Sequence, residues 1–205
     1  MDHALPEHGT LLHVGCGGKR IDRTPFAGSG WQELRLDIDP SVEPDLVGSL
    51  TDLGAVADAS VDAVFSSHNL EHLYPHEVPT ALAEFRRVLK PSGLVVITCP
   101  DLQTVAALVA EDRLVEPAYT SGMGPITPLD ILYGHRASLA AGNHYMAHRC
   151  GFTRTVLTGT VRAAGFVQCA SLRRPSAFDL WILATVETWS DERLREAAGR
   201  LLPSG

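Results

Sequence analysis

The chain has 205 residues, 45% of them hydrophobic and 20% charged, with a formal net charge of −7 at pH 7. That length suits a single domain with a sizeable core; the acidic balance argues against broad contact with nucleic-acid phosphates, and no apolar run approaches a membrane span. Residues 1–8 lack the basic start and apolar core of a signal peptide, and the four cysteines (Cys16, Cys99, Cys150, Cys169) form no C-x-x-C pair, so a cytoplasmic protein without a zinc knuckle or disulfide framework is expected.

In chain order, residues 1–10 read as a short arm. Leu11-Leu12-His13-Val14 reads as a buried strand running into the turn Gly15-Cys16-Gly17-Gly18. Residues 19–30 hold Pro25, Gly28 and Gly30, which favour a short turn or loop over a long helix. Leu36-Asp37-Ile38-Asp39 closes a second strand in acid. A third strand is expected over 44–50, a connection or short helix over 51–58, and a β-branched, buried fourth strand over 61–66. Residues 77–89 form an amphipathic helix with Val78, Leu82, Phe85 and Leu89 on one face and Pro79 in its first turn. A fifth strand covers 94–98 and a helix 102–115. From 116 to 151 prolines and glycines break the pattern, except for a short helix capped by Thr127 and running through Tyr133. A helix over 153–164 closes at Gly165. Strands over 166–172 and 178–186 are joined by a short link, so the last should run antiparallel to its partner. A terminal helix spans 190–202. Alternating strands and helices indicate an α/β fold with a doubly wound, mostly parallel sheet, within one domain over 1–205.

The glycine turn and the acid carry the first chemistry. Asp37 stands twenty positions after Gly17, the spacing at which two neighbouring parallel strands frame a nucleoside. The dinucleotide pattern G-x-G-x-x-G fails, because Arg20 occupies the place of its third glycine. The run Ser66-Ser67-His68-Asn69-Leu70-Glu71-His72-Leu73 follows the fourth strand, and Val88-Leu89-Lys90-Pro91-Ser92-Gly93-Leu94 joins helix to strand. With the glycine turn and Asp37, these segments resemble the class I S-adenosylmethionine (SAM)-dependent methyltransferases, in particular small-molecule, type 11-like members. The resemblance implies a Rossmann-like sheet of seven strands with the last antiparallel, SAM as cofactor, and methyl transfer to a small acceptor, with neither nucleic acid nor membrane as partner. It assigns Gly15, Cys16, Gly17 and Gly18 to the methionine part of SAM, Asp37 and Ile38 to the ribose side, Ser49 and Leu50 to the adenine, and Ser66 and His68 to the loop beside the site. Two departures stand out. His13 occupies a position where the family often has an acid, and Ser49 another.

His68-Asn69-Leu70-Glu71-His72 also fits H-x-x-E-H, which in a zinc hydrolase needs both histidines on one helical face. A helix here is opposed by the preceding strand and by Pro75, so no metal is expected, and Glu71 and His72 are read as holding the loop by hydrogen bonds. A non-catalytic SAM-binding module is the other alternative. The second polar cluster lies within 116–151, a substrate-side insertion or lid. Its sequence resembles predicted methyltransferases with a YGHR…AHR-GF tract. There His135, Arg136, Tyr145 and Arg149 are candidates for substrate binding, and His144 and His148 join His68 as candidate proton acceptors. Cys16 is read as a packed residue, as are Trp31, Trp181 and Trp189.

Overall fold

The computed structural model of the chain describes residues 8–28 and 30–204. Of the expected arm, residues 1–7 lie outside the described residues, and 8–10 already belong to β1 (His8–Val14). Four further strands follow: β2 (Gly30–Asp37), β3 (Leu46–Val47), β4 (Val61–Ser67) and β5 (Leu89–Pro100), with α1 (Val78–Val88) between the last two. Next come α2 (Leu102–Ala110), the small hairpin β6 (Tyr119–Ser121) and β7 (Gly124–Ile126), and two short helices, α3 (Pro128–Tyr133) and α4 (Arg136–Ala140). The chain ends with α5 (Arg154–Ala163), β8 (Gln168–Arg174), β9 (Asp179–Thr185) and α6 (Asp191–Leu201).

Seven strands form one sheet in the order β3-β2-β1-β4-β5-β9-β8. The first five are mutually parallel, and β9 runs antiparallel to both β5 and β8. This is the doubly wound, Rossmann-like arrangement. The chain moves outward from β1 through β2 to β3, then returns to place β4 on the other side of β1. Strand order therefore reverses at β1, and a crevice opens beyond the carboxyl ends of β1, β2 and β4.

Alternation along the strands divides the core. Leu12, Val14, Val64, Val95 and Ile97 face α1 and α5, whereas Leu11, Ala63, Phe65, Leu94 and Val96 face α6 and Trp31. Each fully buried large apolar side chain contributes about 1.5–3 kcal/mol, so this two-sided burial fixes register and the positions of the strand tips. In α1, Val78, Ala81, Leu82, Phe85 and Val88 form the buried stripe.

Several boundaries differ from the sequence reading. The third strand shrinks to two residues at the sheet edge, where Pro44 lacks a donor and the Asp45 carboxylate instead accepts from Arg35 N at 2.7 Å. The fifth strand begins at Leu89, the residue assigned to the helix, because Leu89 pairs with Val61 ahead of a register shift. Helix α2 stops at Ala110, where Glu111 and Asp112 oppose the negative end of the dipole and Asp112 turns left-handed at φ 60°. Within 116–151, α3 has its Thr127 cap, but the hairpin and α4 were not anticipated. Three-residue strands and a five-residue helix are too short to show a period. Among the described residues no helix is long and apolar enough to cross a membrane.

Candidate functional site

The glycine turn is shaped by three side chains, Arg35 and Asp37 from β2 and Asn69 from the loop after β4. Gly15 lies at φ +57°, and a Cβ there would stand 2.0 Å from the Asn69 side chain, which bonds the Val14 carbonyl at 2.9 Å. Gly17, at φ +53°, donates its N–H to Asp37 Oδ2 at 2.7 Å, and the other Asp37 oxygen accepts from Asp39 N at 2.9 Å. The carboxylate thus faces the turn across the crevice. Arg35 is buried and donates to four carbonyls: Gly17 and Lys19 in the turn, Val42 and Glu43 in the loop after β2. Only a three-residue 3-10 turn, Ile21–Arg23, follows the glycines. Arg35 therefore supplies the anchorage that a helix would otherwise give. Burial pushes the Cys16 thiol up to about 11, so it is a packed group and no nucleophile at neutral pH.

His13 lies at the floor of the crevice, fully buried. Its Nδ1 is 2.7 Å from Glu33 Oε1, and since a carboxylate can only accept, the ring proton sits on Nδ1. The second Glu33 oxygen accepts from Ile21 N at 3.0 Å. His13 Nε2 is buried without a partner. Burial lowers the ring's pKa below its ordinary 6.5, against the opposing pull of Glu33. The ring is neutral at pH 7 and presents a lone pair at Nε2.

A cavity of about 790 Å³ extends from this crevice, within the range of roughly 300–1,000 Å³ typical of small-ligand sites. Gly15, Cys16, Gly17, Gly18, His13 and Asp37 line one end, and Ile38, Val42, Ser49 and Leu50 form an adjoining wall. Ile38 is an apolar side chain left 43% exposed beside a polar turn. Ser66 does not line the cavity. It is fully buried, because strand alternation turns it inward and presents Ser67 in its place.

The opposite wall comes from 116–151. Met123, Ile131, His135, Tyr145, Met146 and His148 reach the cavity, and Met123 and Tyr145 are more than half exposed. Two expected residues are placed elsewhere. Arg136 pairs with Asp130 at 2.8 Å and is drawn onto the α3 capping box, away from the cavity. His144 is exposed on a 3-10 turn and does not line the cavity. Arg149 does line it, but its guanidinium donates to the His72 carbonyl at 2.7 Å and lies over the Tyr74 ring, tying the insertion to the loop after β4. His135 Nδ1 contacts Ser138 Oγ at 2.8 Å.

The loop after β4 is not helical as H-x-x-E-H would require. His68 is left-handed at φ 57°, and Leu70–His72 is a 3-10 turn, so His68 and His72 share no helical face. Nor does the Glu71 side chain hold the loop. It is buried, and neither carboxylate oxygen has a hydrogen-bond partner; His68 Nδ1 stands 3.3 Å from Oε1 as a charge contact without hydrogen-bond alignment. Burial raises the carboxyl pKa, whereas positive charge on the surrounding histidines, His68 first, draws it below its ordinary value.

The sequence reading passed over Glu33, Arg35 and the Glu71–His148 proximity. Two charges at alternate positions of a strand in a parallel sheet were an available signal for the first two, since such residues are buried only when paired. The last joins residues far apart in the chain and left no local mark.

Residues 12–97 match the family described as Methyltransferase domain. No curated protein sequence matches the chain. Among solved structures, a Burkholderia thailandensis 1,6-didemethyltoxoflavin-N1-methyltransferase, with 1,6-didemethyltoxoflavin and S-adenosylhomocysteine (SAH) bound, is similar in fold at 21% identity and a TM-score of 0.53, over 86% of this chain and 70% of that one. A Pyrococcus horikoshii OT3 protein gives 17% identity and a TM-score of 0.61 over 87% and 82%. A Haloferax volcanii putative methyltransferase, solved in complex with the Trm112 methyltransferase activator, gives 16% and 0.55 over 88% and 83%.

Proposed function

We propose that this chain, whose residues 12–97 match a methyltransferase domain, uses SAM as its cofactor and methylates a small molecule held in the cavity beside the glycine turn. The observation that carries the reading is the single cavity of about 790 Å³ that joins the turn and Asp37 to the wall built by 116–151. We read the chain as one domain and that segment as its substrate-side insertion. The net charge of −7 disfavours a nucleic-acid acceptor, and four free thiols suit a reducing compartment such as the cytoplasm.

The residues around the crevice fit the cofactor. Each Asp37 oxygen accepts one backbone N–H and keeps a lone pair for a ribose hydroxyl. Ile38, Val42 and Leu50 offer apolar flanks for the adenine, with Ser49 beside them. The main chain of 15–18 lies open to the methionine part. The orphan lone pair of His13 Nε2 suits its ammonium, the partner an acid would otherwise serve. Bound SAM supplies an electrophilic methyl group on sulfonium. The protein orients the acceptor and excludes water. His135 and Tyr145 are its contacts on the insertion side, and His68, with 46% of its side chain exposed, is placed to take an acceptor's proton.

Methyl-tritiated SAM incubated with the protein and a cell extract tests the acceptor class. The label is expected in the acid-soluble, small-molecule fraction. Label confined to precipitated protein or nucleic acid refutes the reading.

A further inference from the structure

The loop after β4 and the insertion meet at a group of side chains that methyl transfer does not account for. One oxygen of Glu71 and one ring nitrogen each of His72 and His148 lie within 4.8 Å of one another. The two rings are fixed from behind. His72 Nδ1 is 3.1 Å from the Ala147 carbonyl and His148 Nδ1 is 2.7 Å from the Ile131 carbonyl. A carbonyl only accepts, so each Nδ1 carries a proton, and the neutral form of each ring leaves its lone pair on Nε2. That is the arrangement in which metal-binding histidines are held, with one nitrogen donating to a backbone carbonyl and the other ligating.

The carboxylate points the same way. Glu71 is buried, and both of its oxygens lack a hydrogen-bond partner. A buried ionised carboxylate is strongly unfavourable unless it is paired or binds a metal. The Nδ1–H groups of His72 and His148 are turned to backbone carbonyls, so neither ring donates a hydrogen bond to it. A cation among the three ligands would satisfy all of them together.

We propose that Glu71, His72 and His148 bind one divalent transition-metal ion, with its open position facing the cavity. Two imidazoles and one carboxylate form the donor set of catalytic zinc sites, which keep a fourth position for water or substrate. Ligands at zinc bond lengths stand roughly 3.4 Å apart in a tetrahedron, against at most 4.8 Å among these three atoms. These ligands differ from the pair implied by H-x-x-E-H. His148, 77 positions after Glu71, replaces His68. Glu71, His72 and His148 all line the cavity that holds the glycine turn, and Glu71 and His148 also line a smaller one of about 190 Å³ beside it. On the small-acceptor reading above, the open position would take the acceptor's oxygen or nitrogen.

The test uses the full chain, stripped with a chelator and titrated with Zn²⁺ and Co²⁺. One equivalent of each is expected, with visible cobalt absorption of a low-coordinate nitrogen–oxygen site. Zinc affinity should fall more than about 100-fold in Glu71→Gln and in His148→Ala, beyond the 10–100-fold typical of residues behind the ligands. His76→Ala, an exposed histidine outside the group, should bind as wild type. Substoichiometric zinc, unchanged affinity in Glu71→Gln, or equal loss in His76→Ala overturns the proposal. Glu71→Gln is isosteric and decides the matter even if His148→Ala fails to fold. SAH binding on the same samples separates the two readings: its absence beside intact zinc binding strikes the cofactor assignment and leaves the metal site standing.

Discussion

A glutamate meets histidine at each end of the cavity, and the two meetings follow opposite rules. Glu33 has both oxygens engaged, one by His13 at 2.7 Å and the other by Ile21 N at 3.0 Å. Glu71 is buried more deeply, with 1% of its side chain exposed against 10% for Glu33, yet neither of its oxygens accepts a hydrogen bond. The first carboxylate is scaffolding: it orients a ring and holds the chain just after the glycine turn. The second has its charge unsatisfied, and its neighbours offer lone pairs. Burial alone therefore says little about a charged side chain; the satisfaction of its atoms separates structure from site.

The largest effect should come from breaking the satisfied pair. Glu33→Ala strands the buried His13 Nδ1–H and the half-buried Ile21 N–H. At about 1–3 kcal/mol for each orphaned group, a loss of roughly 2–4 kcal/mol in denaturant unfolding is expected. A loss under 0.5 kcal/mol would mean that Glu33 holds nothing. At the same end, Asp37→Ala removes the charged acceptor proposed for the ribose. It should cost SAH about 1.5–3 kcal/mol of binding free energy, more than tenfold by calorimetry. Unchanged affinity would detach the acid from the cofactor.

The same contrast marks how far the sequence could be read. The turn at 15–18, Asp37 and the final antiparallel strand were legible because strand periodicity, glycine and acid spacing are local signals. Gly15 and Asp37 sit on strand tips, and two-sided burial fixes those tips. The insertion is different. Arg136 and His144 looked like site residues by type, but Asp130 captures the first and a 3-10 turn faces the second to solvent. Ser66 missed by one residue, since a strand alternates its faces. Nothing between Glu71 and His148 announces that they meet; Arg149 and Cys150 bring this about by donating backbone N–H groups to the Glu71 carbonyl. Long-range hydrogen bonds of that kind leave no period in a sequence.

A smaller effect separates the two ends by pH. Burial lowers the His13 pKa in the fold, whereas the unfolded chain takes up a proton below about 6.5. Its contribution to stability is therefore complete above pH 6.5 and shrinks as the pH falls through that value. His148 acts with the same sign. The charges acting on His13 are Glu33, Lys19 and Arg35, and of these only Glu33 favours protonation. Denaturant midpoints measured from pH 7.5 to 5.5 should fall, and His13→Gln should flatten the slope. A wild-type midpoint that rises on acidification would mean that His13 is charged in the fold.

The smallest effect is the sharpest test of the contrast, because its sign is opposite. Glu71→Gln keeps the shape of the side chain and removes its charge. At pH 8 with chelator present, the wild type keeps a buried carboxylate that accepts no hydrogen bond, and the variant keeps a neutral amide that also brings donors for the Nε2 atoms of His72 and His148. Its stability should lie within about 1 kcal/mol of wild type, on the stabilised side, as when a poorly compensated buried charge is replaced. Added Zn²⁺ should reverse the order, raising only the wild type, by the linkage between ligand binding and folding. If Glu71→Gln instead loses as much as Glu33→Ala under chelation, the Glu71 carboxylate is satisfied as Glu33 is, and the two ends of the cavity obey one rule.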